Sequence, residues 1–348
     1  VEKVDYLIVG QGIAGSLLAY ELGQAGRRVL VLNEEKENTS SNKAAGIYNP
    51  ITGRKFVKTW LADELFPGLE GYYLGLEQTL GAHFIHPMSI YRPFFNFEEQ
   101  NDWSVKASEA EYAPFVKELR AKSMQLPGVI DPVGGLVLDL CGYVNLPIML
   151  RHLKKYFLDK GAYRAEVFQY DQMTINEREV TYKDIVAEKV IFCEGPMAVN
   201  NPYWGWLPFK LVKGEILEID SPLPTDLILN RGVFVLPKNG HFSVGSTYDH
   251  AQLDYEPSES GIKNLKDRLG KLYQGEYAVV SESAGVRPAT FDRRPLIGFH
   301  QDLPRIGIFN GFGTKGVSLV PYFARQLVNY LNGDGVIIPE VNVSRAIK

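Results

Sequence analysis

Residues 4–33, VDYLIVGQGIAGSLLAYELGQAGRRVLVLN, constrain this chain more than any other stretch. An apolar run over 6–9 ends in Gly10-Gln11-Gly12-Ile13-Ala14-Gly15, a helical pattern with Leu17, Leu18 and Leu22 follows, and a second apolar run covers 29–32. Strand, glycine turn, helix and strand in that order form the unit that binds a dinucleotide pyrophosphate. Gly10 permits the tight turn, Gly12 lets the backbone approach the phosphates, and Gly15 lets the helix pack closely on the strand. The N–H groups at the helix start, at Ile13 and Ala14, then hold the anion together with the positive end of the helix dipole. A glycine turn alone is compatible with a purely structural role. The flanking elements at the right spacing make it a dinucleotide site.

An acid at the end of the second strand ordinarily takes the ribose hydroxyls. Here Asn33 stands there, eighteen residues after Gly15, with Glu34 next. An amide also accepts from a hydroxyl, so the ribose falls to Asn33 or to Glu34.

At 348 residues the chain is long enough for one large domain or two modest ones. Its 45% hydrophobic and 22% charged residues are those of a soluble globular protein. A formal net charge of −4 argues against a broad nucleic-acid footprint. Cys141 and Cys193 lie in apolar runs without a metal spacing and read as reduced core thiols, which points to a cytoplasmic setting. The first strand, starting near Val4, leaves no room for a signal peptide, and no apolar stretch reaches transmembrane length. The expectation is a cytoplasmic protein with no membrane span.

Beyond the first unit, the patterning predicts a helix over 58–80, strands over 83–86 and 90–95, and a helical stretch near 110–122. It also predicts a strand over 134–140 and a helix over 146–158, capped by Asn145 and tolerating Pro147 in its first turn. Strands at 167–170, 179–182 and 189–193 are expected to return to the first sheet. Residues 211–287 are mostly β-like, with strands at 213–219, 232–236 and 242–246 and one helix over 259–272. A strand over 305–310, a glycine-rich turn and a helix over 317–331 close the pattern. Two domains follow, with the chain crossing between them more than once.

Three further segments carry distinctive motifs. They are Ser40-Ser41-Asn42-Lys43-Ala44-Ala45-Gly46-Ile47, Ala284-Gly285-Val286-Arg287-Pro288-Ala289-Thr290-Phe291-Asp292-Arg293-Arg294-Pro295-Leu296-Ile297-Gly298, and Gly311-Phe312-Gly313-Thr314-Lys315-Gly316-Val317-Ser318-Leu319-Val320-Pro321. With the first unit, and in this order, they resemble the glycine/D-amino-acid oxidase group of FAD-dependent amine oxidoreductases. Leu211-Val212-Lys213-Gly214-Glu215-Ile216 is similar to a further strand of that group.

The resemblance implies FAD rather than NAD, and an α/β fold. A Rossmann-type FAD-binding domain (1–80, 140–210 and 288–348) would interleave with an α+β substrate domain (81–139 and 211–287) built on a largely antiparallel sheet. Ser40, Ser41, Ala45, Gly46 and Ile47 match the loop that crosses the flavin, and Met173 is placed with the cofactor-binding residues. Some relatives attach the flavin to a cysteine near the last turn. None stands there in this chain, so the FAD is expected to be non-covalent. Gly46-Ile47-Tyr48-Asn49-Pro50 is also similar to a related Gly-x-x-Tyr-x-Pro in the flavin half of the bifunctional tRNA wobble-uridine modification enzymes, which likewise lack the second-strand acid. The sequence contains no methyltransferase half, and its acidic balance argues against tRNA as a partner.

Gly311 opens a turn directly before the last helix. That helix start can stabilise negative charge on the pyrimidine side of a reduced flavin, which makes Phe312, Gly313, Thr314, Lys315, Gly316, Val317 and Ser318 the expected isoalloxazine contacts. Arg287 matches the arginine that binds the substrate carboxylate in the resembled group, where a planar guanidinium fixes the carboxylate bidentately. Its other reading is a structural ion pair with Asp292. Thr314 stands where glycine oxidases carry a second substrate arginine, which argues against glycine as substrate. Lys315 is the nearest cation to the flavin face and serves the reduced flavin, superoxide or a substrate carboxylate; its other reading is a solvated lysine at a helix start. The six histidines show no metal pattern, since a strand would turn His83 and His86 to opposite faces. The aromatic runs 91–97 and 203–209 read first as core, and otherwise as a substrate funnel or partner face.

The resemblance thus implies an FAD-dependent oxidoreductase that dehydrogenates a C–N bond of an amino acid or N-substituted amino acid. Hydride would pass from the carbon beside nitrogen to flavin N5, and the resulting imine would hydrolyse. The partners would be a small amine or amino acid and an electron acceptor, either oxygen or a quinone or carrier protein. A tRNA-modifying C–N oxidase and a flavin-binding protein with degenerate catalysis are the other readings.

Overall fold

The apolar run that opens the sequence forms the strand Glu2–Val9, paired in parallel with Val29–Asn33 on one side and Ile185–Phe192 on the other. Leu7, Ile8, Leu30, Val31, Leu32, Val190, Ile191 and Phe192 are all buried. Such unbroken apolar runs are what parallel strands covered on both faces require. Residues 1–53 and 57–347 are described by this computed structural model.

Ile185–Phe192 is long enough to serve two neighbours on one edge. Its first half pairs antiparallel with Val180–Tyr182, which carries Met173–Ile175 beyond it, and its second half pairs in parallel with Ile306–Asn310. Leu296–Phe299 then pairs with Ile306–Asn310, and Tyr163–Ala165 closes the opposite edge on Val29–Asn33. The helix Ile13–Gln24 packs against the final helix Gly316–Asn332, so both helix starts lie at the carboxyl ends of the parallel strands.

A second sheet runs in the order Ala278–Arg287, Val212–Asp220, His241–Gly245, Val233–Lys238, Ile228–Arg231, Ile90–Pro93, Gly135–Leu138, Val116–Arg120. Its neighbours pair antiparallel, except that Ile228–Arg231 runs parallel to Ile90–Pro93. Glu259–Leu269 covers this sheet by burying Ile262, Leu265 and Leu269 against Leu217, Val235 and Val244. Ala62–Leu80 buries Leu65, Phe66, Leu69, Tyr72, Tyr73 and Leu76, the stripe of an amphipathic helix.

Several local expectations give way. Residues 110–122 form no α-helix: Pro114 sits in the short turn Ala113–Phe115, and Val116–Arg120 pairs with Gly135–Leu138 as the edge strand of the second sheet instead. Residues 167–170 are no strand, because Tyr163–Ala165 has already taken the sheet edge. The asparagine at 145 starts the helix Leu146–Asp159 without a side-chain cap bond. An unexpected helix, Phe97–Lys106, follows Asn96, whose side chain accepts from the Glu99 N–H while the Glu99 carboxylate accepts from the Phe95 N–H at 2.6 Å. This is a near-relative of the capping box.

The first helix reaches the first strand because Gly15 has no side chain. A Cβ there would lie 1.9 Å from the Gly10 carbonyl oxygen. Gly15→Ala should therefore cost at least about 2 kcal/mol of stability, read as a lowered urea midpoint with an unchanged m-value.

Candidate active site

The carboxyl ends of Glu2–Val9, Val29–Asn33, Ile185–Phe192 and Ile306–Asn310 open onto a cavity of ≈ 2170 Å³ that extends to Gly214, Ile216 and Arg287 of the second sheet. At one end, Gly10 takes φ +102°, and a Cβ there would stand 2.6 Å from the Cys193 carbonyl oxygen. The Gly10 N–H donates to the Leu32 carbonyl at 2.8 Å, which fixes the turn. Gly12 gives the helix no side-chain cap, and Ser41 Oγ accepts from the Ile13 N–H at 3.1 Å. The other donors of the helix start face the cavity, the arrangement that binds a pyrophosphate. Asn33 Oδ1 accepts from the Gln11 N–H at 2.9 Å, so its acceptor braces the glycine turn. Glu34 also lines the cavity and pairs with Lys36 at 2.7 Å.

The second helix start faces the same space. Gly311 donates to Asn310 Oδ1 at 2.8 Å, Asn310 Nδ2 donates to the Gly195 carbonyl at 2.9 Å, and the Gly313 N–H donates to the Pro288 carbonyl at 3.1 Å. Lys315 occupies the cap position of Gly316–Asn332 without a side-chain cap bond. Two helix starts on one cavity supply partial positive charge at two places, one for a pyrophosphate and one for the flavin edge where negative charge develops on reduction. The residues present fit FAD on this ground.

Arg287 ends the strand Ala278–Arg287. Its Nη2 donates to Ser246 Oγ at 2.6 Å, its Nη1 donates to the Thr247 carbonyl at 3.2 Å, and the Tyr248 ring covers it at 4.7 Å. The Ser40 hydroxyl donates to the neighbouring Val286 carbonyl, tying the loop Ser40–Lys43 to this strand. The alternative ion pair with Asp292 is not made: Asp292 pairs with Arg345 at 3.0 Å and accepts from the Arg294 N–H. Burial lowers the Arg287 pKa from the ordinary arginine value.

Lys315 is not a solvated lysine. Its Nζ lies in the cavity wall, 3.4 Å from Thr59 Oγ1, and burial, with the nearby Arg92 charge adding repulsion, pushes its pKa down to about 8. No salt bridge to Lys315 occurs among the described residues.

Gly10, Gly12, Ile13, Ala14, Asn33, Glu34, Ser40, Ser41, Ala45, Gly46, Ile47, Arg287 and 311–317 all line this one cavity. Gly15 and Ser318 do not: Gly15 is a packing contact, and the Ser318 hydroxyl turns back onto the Lys315 carbonyl at 3.2 Å. Met173 is also displaced from it. Its hairpin pairs with the amino-terminal half of Ile185–Phe192, and its side chain is buried in the core with Val180 and Tyr182. His83 precedes the strand Ile85–Pro87, so strand alternation does not apply, and its ring meets that of His86 at 4.7 Å. No group of three metal-ligating side chains occurs among the described residues. Tyr91, Phe94 and Trp204 are core, whereas the exposed Phe95 lines the cavity. Sequence reasoning missed Thr59, Ser246 and Tyr248. Ser246 and Tyr248 meet Arg287 forty-one and thirty-nine residues further on, and Thr59 meets Lys315 across 256 residues, separations that no local pattern encodes.

A family model described as FAD dependent oxidoreductase (DAO) matches residues 5–330. The chain is 24% identical to a glycine oxidase of Geobacillus kaustophilus (strain HTA426), over 92% of this chain and 90% of that one. It is also 24% identical to the tRNA 5-methylaminomethyl-2-thiouridine biosynthesis bifunctional protein MnmC of Legionella pneumophila (strain Corby), over 96% of this chain. That match covers 55% of the relative, so the chain spans about half the length of such bifunctional proteins. The fold is similar to that of the iminodiacetate oxidase (IdaA) from Chelativorans sp. BNC1, with a TM-score of 0.79 at 20% identity over 98% of each chain.

The Lys315 charge should be a cost to the fold. Between about pH 8 and the ordinary lysine value of 10.5 the unfolded chain binds more protons than the native one, so this group makes stability rise with pH across that window. Lys315→Met should accordingly melt higher than the parent at neutral pH, with the gap closing as pH climbs through the window, as followed by thermal unfolding.

Proposed function

The chain belongs to the DAO family of FAD-dependent oxidoreductases, and we propose that it dehydrogenates the C–N bond of an amino acid or N-substituted amino acid. The observation that carries this reading is Arg287, a partly buried guanidinium on the cavity wall, held by a hydroxyl and a carbonyl and paired with no carboxylate among the described residues. Such a group accepts a substrate carboxylate in its planar fork and fixes the orientation of the adjoining carbon and nitrogen.

Gly10, Gly12, Ile13 and Ala14 would face the pyrophosphate. Glu34 would take the ribose, because the Asn33 acceptor already serves the Gln11 N–H. Ser40, Ser41, Ala45, Gly46 and Ile47 would lie along the flavin, and 312–317 would meet its pyrimidine edge. When bound, FAD supplies the acceptor for the hydride leaving the carbon beside nitrogen. Tyr248 shields Arg287 and helps exclude water from the anchored carboxylate. Oxygen is the simplest final acceptor.

The strands of the first sheet all fall within 1–80, 140–210 and 288–348, and those of the second within 81–139 and 211–287. This supports an FAD-binding domain interleaved with a substrate domain, the latter on a largely antiparallel sheet; residues 54–56 and 348 lie outside the described residues. Two buried free thiols, Cys141 and Cys193, support a reducing cytoplasmic setting. No helix among the described residues is long and apolar enough to cross a membrane. A net charge of −4 favours a small-molecule substrate over a nucleic acid.

Acid precipitation should leave a yellow supernatant containing FAD, since no cysteine stands near 311–318 to tether it; a yellow pellet would refute non-covalent binding. Arg287→Lys keeps the charge and loses the fork. A charge-assisted hydrogen bond is worth about 1.5–3 kcal/mol, so kcat/KM for the best carboxylate-bearing amine should fall at least about tenfold. An unchanged kcat/KM would remove this role from Arg287.

A further inference from the structure

We propose that the substrate carries two anionic groups, one held by Arg287 and the second by Lys315 on the same cavity wall. This deepens, and rests on, the reading of Arg287 as a carboxylate anchor.

Lys315 has a geometry that leaves its charge unanswered. Thr59 Oγ1, 3.4 Å from Nζ, gives its own hydrogen to the Asn49 carbonyl at 3.0 Å and so offers the ammonium a lone pair but no charge. Thr59 is itself fixed, its N–H donating to the Pro50 carbonyl at 2.7 Å. The hydroxyl therefore positions the ammonium without neutralising it. An ammonium has three donors, and the remaining ones are available to a ligand. Arg92, a charge of the same sign, is close enough to repel the ammonium, and its guanidinium donates to the Ile51 and Gly53 carbonyls.

The two cations are structurally tied. Gly313, two residues before Lys315, donates its N–H to the carbonyl of Pro288, the residue after Arg287, at 3.1 Å. One short backbone contact thus joins the segments that carry two cations lining one cavity. A neutral substrate group beside Lys315 would leave a desolvated charge uncompensated, whereas an anionic group would answer it. The backbone N–H groups at the start of Gly316–Asn332 are already available to the cofactor, so its negative charge does not require this side chain. The substrate class that fits is a dicarboxylic amino acid, or an amino acid whose nitrogen carries an acidic substituent.

The test uses unreactive probes on the FAD-loaded protein. Straight-chain dicarboxylates from succinate to adipate, and the monocarboxylates butyrate to hexanoate of matching length, are titrated calorimetrically. At least one dicarboxylate should bind at least about tenfold more tightly than its single-acid counterpart, the worth of one charge-assisted contact. Lys315→Met should abolish that preference and leave the monocarboxylate affinity unchanged, while Lys315→Arg should retain it. Should the Met variant fail to fold, Lys315→Gln serves in its place. No dicarboxylate preferred over its counterpart, or a preference that survives Lys315→Met, overturns the second pole. Arg287→Lys separates the two claims: it should weaken both probe types, and unchanged monocarboxylate affinity in that variant would overturn the Arg287 anchor instead.

Discussion

The approach of the first helix to the first strand, through Gly15 over the Gly10 carbonyl, is the contact on which the remaining architecture depends. It seats Ile13–Gln24 tightly enough on the parallel sheet for Gly316–Asn332 to lie beside it. Both helices then begin at the carboxyl ends of the strands. Neither cap residue makes a side-chain cap bond, and apart from the Ile13 N–H, which Ser41 Oγ accepts, the donors of both starts are left toward the cavity. A fold that completed these caps internally would have lower local cost and no reason to bind an anion there.

Charge tells the same story by contrast. The buried cation Lys213 is answered by carboxylates. Lys213 meets Asp254 at 2.5 Å and Glu215 at 3.8 Å, while Glu215 in turn accepts from Ser258 and Thr247. The guanidinium of Arg231 donates to the carbonyls of Phe94, Ile130 and Lys271. Arg287 and Lys315 share with Arg231 a setting of neutral oxygens and no salt bridge among the described residues, but unlike Arg231 they line the cavity. Burying charge without a counter-charge is expensive. A site that does so at two points of one cavity is organised around an anion that arrives from outside.

The parts legible in sequence are those where a local pattern and a tertiary need coincide. The glycine turn reads correctly because its decisive contact, Gly15 against the Gly10 carbonyl, is made within the motif itself. Apolar runs over 6–9, 29–32 and 189–193 read correctly because burial on both faces suppresses polar alternation. Reading fails where a distant partner decides. Residues 116–120 look helical beside 110–115 but are captured by Gly135–Leu138, and Asn145 loses its capping role although its residue type favours it. Met173 belongs to a hairpin that only the length of Ile185–Phe192 accommodates. The Asp292 alternative for Arg287 could not be dismissed from sequence, since Arg345, the partner that takes Asp292, stands fifty-three residues further on.

The Gly46–Pro50 segment acquires its meaning only in three dimensions. In sequence it is a motif beside the flavin loop. In the fold, Ile47 pairs with Tyr143 and the Gly46 carbonyl accepts from the Val144 N–H at 3.0 Å, which anchors the segment to the small sheet formed with Ile85–Pro87. From that fixed point the Asn49 and Pro50 carbonyls receive the hydroxyl and N–H of Thr59, and Thr59 in turn steers Lys315. A chain of backbone acceptors thus carries the position of a motif near the amino terminus to an ammonium at residue 315. None of these links supplies charge. The segment can therefore determine where the ammonium points while leaving its partner to be chosen by the ligand.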